Sequence, residues 1–126
     1  MIRNSLLGLL CILTASASFV LTGCSRKPSE QDARKVCENR IETPNLYRIK
    51  SFNKVNAISA NYGNETYMVE YTGEVEYLAN IPGAVPLMDS SISSGNTKKG
   101  DVQHISGIVT FTKTEKGWKG SDGKIY

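Results

Sequence analysis

A strict alternation of residue types between Thr66 and Leu78 limits the fold more than any other feature of the chain. Every second residue, pointing to one side of the extended chain, is apolar or a glycine. The residues between them point to the opposite side and carry acidic or hydroxyl groups. The first set is Tyr67, Val69, Tyr71, Gly73, Val75 and Tyr77, and the second is Glu70, Thr72, Glu74 and Glu76. A period of two predicts a half-buried antiparallel strand, so the chain must also supply something that covers its apolar face.

A short helix upstream is suited to provide that cover. Ser29 is a good N-cap, Asp32 stands three residues later in a capping-box position, and Glu30 and Asp32 place negative charge at the positive end of the helix dipole. Helical spacing gives an apolar stripe with Arg40 along its edge: Ala33, Val36, Cys37 and Ile41. We expect the helix to end before Pro44, because the residue preceding a proline disfavours the α region.

Three more extended segments complete the predicted sheet. The apolar spacing slips between Ile49 and Phe52, which indicates either one long strand with a bulge or two short strands. Gly63 marks a turn after that region, and Gly117 a hairpin near the end of the chain. The predicted segments are Tyr47–Ile58, Ile105–Lys113 and a short last strand beginning at Trp118.

Two features of the central strand have structural and functional interpretations. Gly73 lacks a side chain in the middle of the apolar face, which marks either a bend or the close approach of another element. If the helix packs across the sheet, we expect it to cross at Gly73. The acidic side chains on the opposite face are either functional groups, as metal ligands or acid/base carboxylates, or a solvated surface. The second interpretation is favoured, with these cross-strand partners expected: Lys50, Lys54 or Lys113.

The N-terminus has the character of an export signal. Arg3 supplies positive charge, residues 6–21 are largely apolar, and small residues follow. The sequence Leu21-Thr22-Gly23-Cys24 resembles the lipobox of bacterial lipoproteins. The resemblance implies cleavage between Gly23 and Cys24, a diacylglyceryl group on the Cys24 sulfur, and acylation of the new amine. A single membrane-spanning helix is the alternative, since residues 6–23 approach the roughly 18 apolar residues that such a helix requires.

This interpretation divides the chain into a signal peptide at residues 1–23, a lipidated tether at 24–28, and one domain at 29–126. Removal of the signal from the 126-residue chain leaves 103 residues, which is one small domain. Loss of Arg3 leaves 14 basic against 12 acidic residues. That balance argues against a nucleic-acid partner, while Arg26 and Lys27 beside the anchor favour weak attraction to anionic lipids.

One cysteine remains for the mature domain. Cys11 leaves with the signal and Cys24 is acylated, so Cys37 has no partner for an intramolecular disulfide. Cys37 is expected to be a small buried residue on the helix rather than a catalytic thiol. A catalytic thiol would need a histidine beside it, and His104 is the sole histidine of the chain. His104 itself fits a surface or capping position better than a metal site.

The pattern as a whole predicts an α+β fold, with an N-terminal helix packed on a curved antiparallel sheet of about four strands. Residues 71–78 and 109–120 resemble the cystatin-like and nuclear-transport-factor-2-like rolls of small bacterial lipoproteins. Enzymatic members of the wider fold hold acidic residues and a histidine inside the roll. Here the corresponding residue types are Asp89, Asp101 and His104, in or beside a loop, and the resemblance carries over no activity.

A long connection at residues 79–103 is the main candidate for a binding element. Its first half is apolar and broken by prolines, with these candidate contact residues: Ile81, Val85, Leu87 and Met88. If these side chains are exposed they form a partner site, and if they fold over the end of the sheet they close the core.

The sequence favours a lipid-anchored protein that acts by binding a protein of the cell envelope, through an edge, a concave face or the 79–103 connection. No catalytic residue, cofactor or metal site is predicted. A lipoprotein that binds a small ligand, with Tyr67, Tyr71 and Tyr77 lining a cavity, and an immunity or exclusion lipoprotein are the alternatives. Ser25 after the lipidated cysteine resembles the pattern of outer-membrane lipoproteins that face the periplasm; in a Gram-positive cell the anchor would hold the domain on the plasma membrane.

Overall fold

The computed structural model describes residues 26–88, 92–93 and 95–126, so the predicted signal peptide, Gly23 and Cys24 lie outside it. The described chain is an α+β fold of one short helix and one open antiparallel sheet, in the strand order β1-β2-β3-β4. The elements are α1 Glu30–Asn39, β1 Tyr47–Asn61, β2 Glu65–Tyr77, β3 Val102–Thr114 and β4 Gly117–Gly120. In this part of the chain no helix has the length and apolar character to cross a bilayer.

The helix forms where its capping signal predicts. The Ser29 hydroxyl accepts a hydrogen bond from the Asp32 amide at 3.2 Å, and the Asp32 carboxylate accepts one from the Ser29 amide at 2.8 Å. This reciprocal capping box satisfies two amides that a helix start leaves unpaired. The buried residues of α1 are Ala33, Val36 and Cys37, and they join the core formed with the sheet.

The first strand is one long strand with bulges, which confirms one of the two predicted alternatives. Its register against β2 shifts between Ile49 and Ser51, where the apolar spacing slips, and again between Lys54 and Asn56. Each bulge places two residues of β1 opposite one residue of β2 and increases the local twist. The turn that follows contains Gly63 at a φ of +86°, the left-handed conformation expected for its glycine.

The glycine in the middle of β2 is required by β1 and not by the helix. A Cβ added at Gly73 would clash with the Ser51 carbonyl oxygen and lie 3.4 Å from Phe52 Cα. The prediction that α1 crosses the sheet at Gly73 is therefore wrong. The close approach of the helix occurs at β4, where a Cβ added at Gly120 would lie 2.7 Å from Val36 Cγ2.

The core is built on the apolar face of β2, as the alternation predicts. All six residues of that face are buried: Tyr67, Val69, Tyr71, Gly73, Val75 and Tyr77. Phe52 of β1 stacks on Tyr71 with ring centroids 4.5 Å apart, and Trp118 of β4 lies 6.0 Å from Tyr67. These aromatic contacts bury large apolar areas and stabilise the packing of neighbouring strands.

The C-terminus is tied to the end of α1 by a polar network. The Tyr126 hydroxyl donates to Asp122 at 2.5 Å, and the Asn39 amide donates to Asp122 at 2.9 Å. Burial and the hydrogen bond to Asp122 raise the pKa of Tyr126 to about 12. Burial acts to raise the pKa of Asp122, but its hydrogen bonds outweigh burial and lower it, so the carboxylate stays ionised and holds both partners.

Replacement of Gly73 by alanine should destabilise the protein by about 1–3 kcal/mol, the usual cost of forcing a methyl group into a filled space. Urea unfolding followed by the fluorescence of Trp118, the sole tryptophan, measures this effect. The matched control is Gly83→Ala, because a Cβ there has no neighbour within 4 Å and the φ is not positive. Its free energy of unfolding should change by less than about 0.5 kcal/mol. Equal effects of the two substitutions would contradict the close contact with β1.

Candidate functional site

The connection between β2 and β3, which we call the 81–97 loop, has two arms that pair like a hairpin in its described parts, residues 81–88, 92–93 and 95–97. Ile81 and Thr97 exchange two backbone hydrogen bonds, of 2.9 and 3.0 Å, across its base. Further out, the Val85 amide donates to the Ser93 hydroxyl at 2.8 Å, and the Ser93 amide donates to the Val85 carbonyl at 2.9 Å. The predicted irregular connection thus has two arms that pair antiparallel, which satisfies backbone groups that would otherwise need water.

The loop is fastened to the end of the sheet by the strands on either side of it. The Tyr77 hydroxyl donates to the Gln103 side chain at 2.6 Å, and the Gln103 side chain donates to the Ile92 carbonyl at 3.2 Å. Burial raises the pKa of Tyr77, so its hydroxyl remains a protonated donor at neutral pH. These bonds link β2, β3 and the loop into one unit.

The structure places the four predicted contact residues mostly inside the protein. Ile81, Leu87 and Met88 are buried members of the core cluster, and Val85 is partly buried against it. This placement favours the alternative in which the segment closes the end of the core. A direct role of these side chains in partner binding stays a prediction.

An open cleft lies where the 81–97 loop meets the segment after α1, and we call it the loop cleft. It encloses about 440 Å³ and is lined by Asn39, Arg40, Glu42, Tyr47, Pro86, Leu87 and Met88. Of the lining residues, Leu87 and Met88 are buried, whereas Arg40 and Glu42 are exposed and bring opposite charges to the cleft. Burial raises the pKa of Tyr47, whose hydroxyl accepts a hydrogen bond from the Met88 backbone.

The loop cleft is suited to recognition of a segment of another molecule. It is concave, and apolar and polar side chains meet in its lining, as they do in binding sites of proteins. Its sides come from residues 39–47 and 86–88, which are distant in sequence. Arg40, Glu42 and Tyr47 were therefore missed by the sequence analysis, because no local pattern links them to the 81–97 loop.

The remaining candidate residues lie apart from the loop cleft. Cys37 is buried on α1 and His104 is exposed on β3, which confirms the predicted positions of both. Tyr67, Tyr71 and Tyr77 are buried in the core, which favours a packing role over a cavity lining. Asp89 lies outside the described residues. Among the residues that the structure describes, no three acidic, histidine or cysteine side chains are grouped as metal ligands would be.

The acidic face of β2 forms cross-strand ion pairs, but not with the lysines expected. Arg48 contacts Glu76 at 2.8 Å and holds the pKa of that carboxyl below its usual value. His104 lies 3.7 Å from Glu74, and Lys113 pairs at 3.2 Å with Glu65, outside the predicted acidic set. The bulges in β1 set which residues face each other, so Arg48 lies opposite Glu76, while Lys50, one of the expected partners, also lowers the pKa of Glu76 through its charge.

The segment that precedes α1 is docked on the domain. Pro28 is buried, Arg26 lies 3.8 Å from Asp32, and the Lys27 ammonium donates to the Ser59 hydroxyl at 3.3 Å. Ser59 belongs to the part of β1 near the β1–β2 turn, whereas Tyr47 in the loop cleft begins the same strand. The segment and the loop cleft therefore lie at opposite ends of β1.

Comparisons of the chain with family models, with curated proteins and with solved structures find no match in any of the three.

Replacement of Ser93 by alanine should loosen the 81–97 loop without unfolding the domain. The substitution leaves the partly buried Val85 amide without its side-chain acceptor, which costs about 1 kcal/mol. Hydrogen exchange measured by mass spectrometry should show amides of residues 81–97 exchanging roughly fivefold faster. Ser106→Ala, at an exposed position on β3, is the control and should leave that exchange unchanged. Unaltered exchange in Ser93→Ala would show that the pairing does not hold the loop.

Proposed function

We propose that this protein is a bacterial lipoprotein, held on a membrane by acyl chains on Cys24, whose domain binds a protein of the cell envelope through the loop cleft. The observation that carries the proposal is the layout of the described chain. Residues 26–28 are docked at one end of β1, and the loop cleft lies at the other end. A protein held by its N-terminus in this way presents the loop cleft on the side away from the anchor.

The anchor is supported by chemistry as well as by the lipobox sequence. Each buried methylene contributes about 0.8 kcal/mol, so two or three acyl chains hold a small domain on a bilayer far more firmly than one chain would. Pro28, four residues after the expected lipidation site, is already buried on the domain. The anchor and the domain are therefore separated by very few residues.

Binding by the loop cleft is supported by the hydrogen bonds that hold its walls. The described arms of the 81–97 loop are held by backbone pairing and by the bond from Gln103, so these arms have little conformational freedom to lose on association. Ile92, which pairs with Pro86 of the cleft lining, is 64% exposed and adds an apolar side chain beside the cleft. A concave surface with an exposed apolar neighbour suits a polypeptide segment.

The finer fold assignment belongs to the same proposal. A helix that precedes four antiparallel strands and packs on one face of the sheet is the arrangement expected for a cystatin-like or nuclear-transport-factor-2-like roll. We assign the domain to this group on element order and packing. In a Gram-negative cell, Ser25 after the lipidated cysteine favours the outer membrane, with the domain facing the periplasm.

Lipidation is tested by labelling cells that express the full chain with a palmitate analogue. The wild-type protein should take up label, and Cys24→Ala should take up none because the acceptor sulfur is gone. Cys37→Ala is the matched control and should keep the label, since Cys37 is buried on α1. An unlabelled wild type, or label that persists in Cys24→Ala, would reject the anchor.

Partner binding is tested by photo-cross-linking in cells, with a photoreactive amino acid at position 92 or at position 108. Both residues are exposed isoleucines, at 64% and 56%, but Ile108 lies on the open face of β3, away from the loop cleft. A discrete adduct with an envelope protein should form from position 92 alone, and Arg40→Glu should weaken it. Adducts of equal yield from both positions would remove the loop cleft from the proposal. An adduct with an incoming toxin or phage protein would identify an exclusion function.

A further inference from the structure

β1 is the outermost strand of the sheet, and part of its outer edge is uncovered. In the described part of the chain, no strand pairs with that edge. Helix α1 covers the edge near the middle of β1, where the Glu30 carboxylate accepts a hydrogen bond from the Lys54 amide at 2.8 Å. Residues 55–61 form the rest of the strand, and none of them is buried. We call these residues the open edge.

The peptide groups of the open edge are arranged to pair with another strand. The Ala57 amide donates to the side chain of its neighbour Asn56 at 2.9 Å, which places this amide on the outer side of β1, away from the backbone of β2. The peptide groups of a strand face its two edges alternately, so those of Ser59 and Asn61 face outward as well. An added strand would replace the bond to Asn56 with a backbone bond and pair with the next two outward residues in the same register.

The sequence of the open edge lacks the features that normally protect an edge strand. It reads Val-Asn-Ala-Ile-Ser-Ala-Asn, without a charged residue, a proline or a glycine. Its register against β2 is regular from Asn56 to Asn61, so no bulge distorts this part of the strand. Lysine, proline and bulges are the usual means by which proteins prevent edge-to-edge pairing. An uncharged, regular and exposed edge is therefore suited to strand addition.

Two lysines flank the open edge on the face of the sheet that carries the core. Lys54 lies opposite the buried Tyr71, and its ammonium group donates to the Tyr67 hydroxyl at 3.3 Å. The Lys27 ammonium donates to the Ser59 hydroxyl at 3.3 Å and lies 5.5 Å from the centre of the Tyr67 ring. No ion pair among the described residues includes either lysine. Acidic side chains on this face of an added strand would therefore meet two cations that lack a carboxylate partner.

The opposite face of the open edge is apolar around Ile58. This residue lies opposite Met68 of β2 and is 53% exposed, and Ala60 follows it on the same face. Successive side chains of a strand point to opposite faces, so an added strand presents one set of side chains to the lysines and the other set to Ile58. The open edge therefore favours a segment in which acidic and apolar residues alternate.

We propose that residues 55–61 bind an extended polypeptide segment by strand addition, and that this segment alternates acidic with apolar side chains. Its backbone pairs antiparallel with the outward peptide groups of the open edge. Its acidic side chains contact Lys27 and Lys54, and its apolar side chains lie beside Ile58. A second copy of this chain suits the open edge less well, because antiparallel self-pairing would bring the lysines of both copies together. This site is separate from the loop cleft and does not depend on acylation of Cys24.

The test measures how labelled, end-capped peptides bind the full protein in a non-ionic detergent, by fluorescence anisotropy. The first peptide alternates Glu with Val and is long enough to span residues 55–61. It should bind, and high salt should weaken its binding. The same peptide with Lys in place of each Glu should bind roughly tenfold more weakly or not at all, because its charges repel the two lysines.

Two N-methylated versions of the Glu/Val peptide distinguish strand addition from simple attraction of charges. In the proposed antiparallel pairing, the residues whose side chains point toward the lysines also point their amides at the open edge. Methylation of the Glu amides should therefore abolish binding. Methylation of the Val amides, which point to solvent, should leave the affinity nearly unchanged. Equal affinities of the two methylated peptides, or the reverse order, would overturn the proposal.

The double variant Lys27→Gln/Lys54→Gln should bind the Glu/Val peptide roughly tenfold more weakly, because each exposed ion pair contributes up to about fivefold. Lys98→Gln/Lys99→Gln removes the same charge at exposed positions between the 81–97 loop and β3, and should keep the affinity. Trp118 fluorescence verifies that each variant is folded. Equal losses in the two variants would contradict the acidic partner. A dimer in sedimentation that the Glu/Val peptide does not dissociate would show that a second copy fills the open edge.

Discussion

One sheet with a single covered face is the constraint from which the rest of the structure follows. The apolar side of β2 must be shielded from water over its 13 residues, a length of about 40 Å. The ten residues of α1 span only about 15 Å. The helix therefore covers the middle of the sheet, and other parts of the chain must cover its ends. Ile81, Leu87 and Met88 close one end, while Trp118 and the Lys27 side chain lie over Tyr67 near the other.

The bulges in β1 are coupled to the helix that lies beside its free edge. Arg34 of α1 donates to the Ile49 carbonyl at 3.2 Å, and the Glu30 carboxylate accepts from the Lys54 amide at 2.8 Å. These bonds fall at the two places where the β1 register shifts. A long edge strand is prone to pair with other chains, and both bulges and covering side chains limit that risk. Towards Tyr62 the edge lacks this cover from α1, which leaves it available for other contacts.

Local patterns in the sequence predicted the parts of the fold that depend on neighbouring residues. The alternation around Tyr71 gave the buried face of β2, the Ser29–Asp32 spacing gave the start of α1, and Gly63 gave a turn. The predictions that failed concern residues that are distant in the sequence and meet only in the folded chain. The neighbour of Gly73 is the Ser51 carbonyl, and the partner of Glu76 is Arg48 in place of a lysine, because bulges change the register.

The candidate site illustrates the same limit. The pairing of Val85 with Ser93 occurs between arms that contain prolines and glycines and show no alternation, so the sequence predicted an irregular connection there. The walls of the loop cleft combine this loop with Arg40 and Tyr47, a juxtaposition that exists only once the sheet is formed. The proposed anchor is different in kind, because it was inferred from a linear sequence whose recognition needs no fold.

The short tether restricts what an anchored form of this domain can reach. A long flexible linker would let a binding surface sample a wide volume, but here residues 26–28 are already held on β1. The part of β1 between the docked tether and the loop cleft is about 40 Å long, and the tether from Cys24 to Lys27 spans at most about 11 Å. The loop cleft of an anchored protein would therefore lie within about 50 Å of the bilayer. A partner would have to present its binding segment in that layer. A membrane protein, or a polypeptide in the act of crossing the envelope, meets this requirement better than a freely diffusing one, because both pass through the layer that the domain occupies.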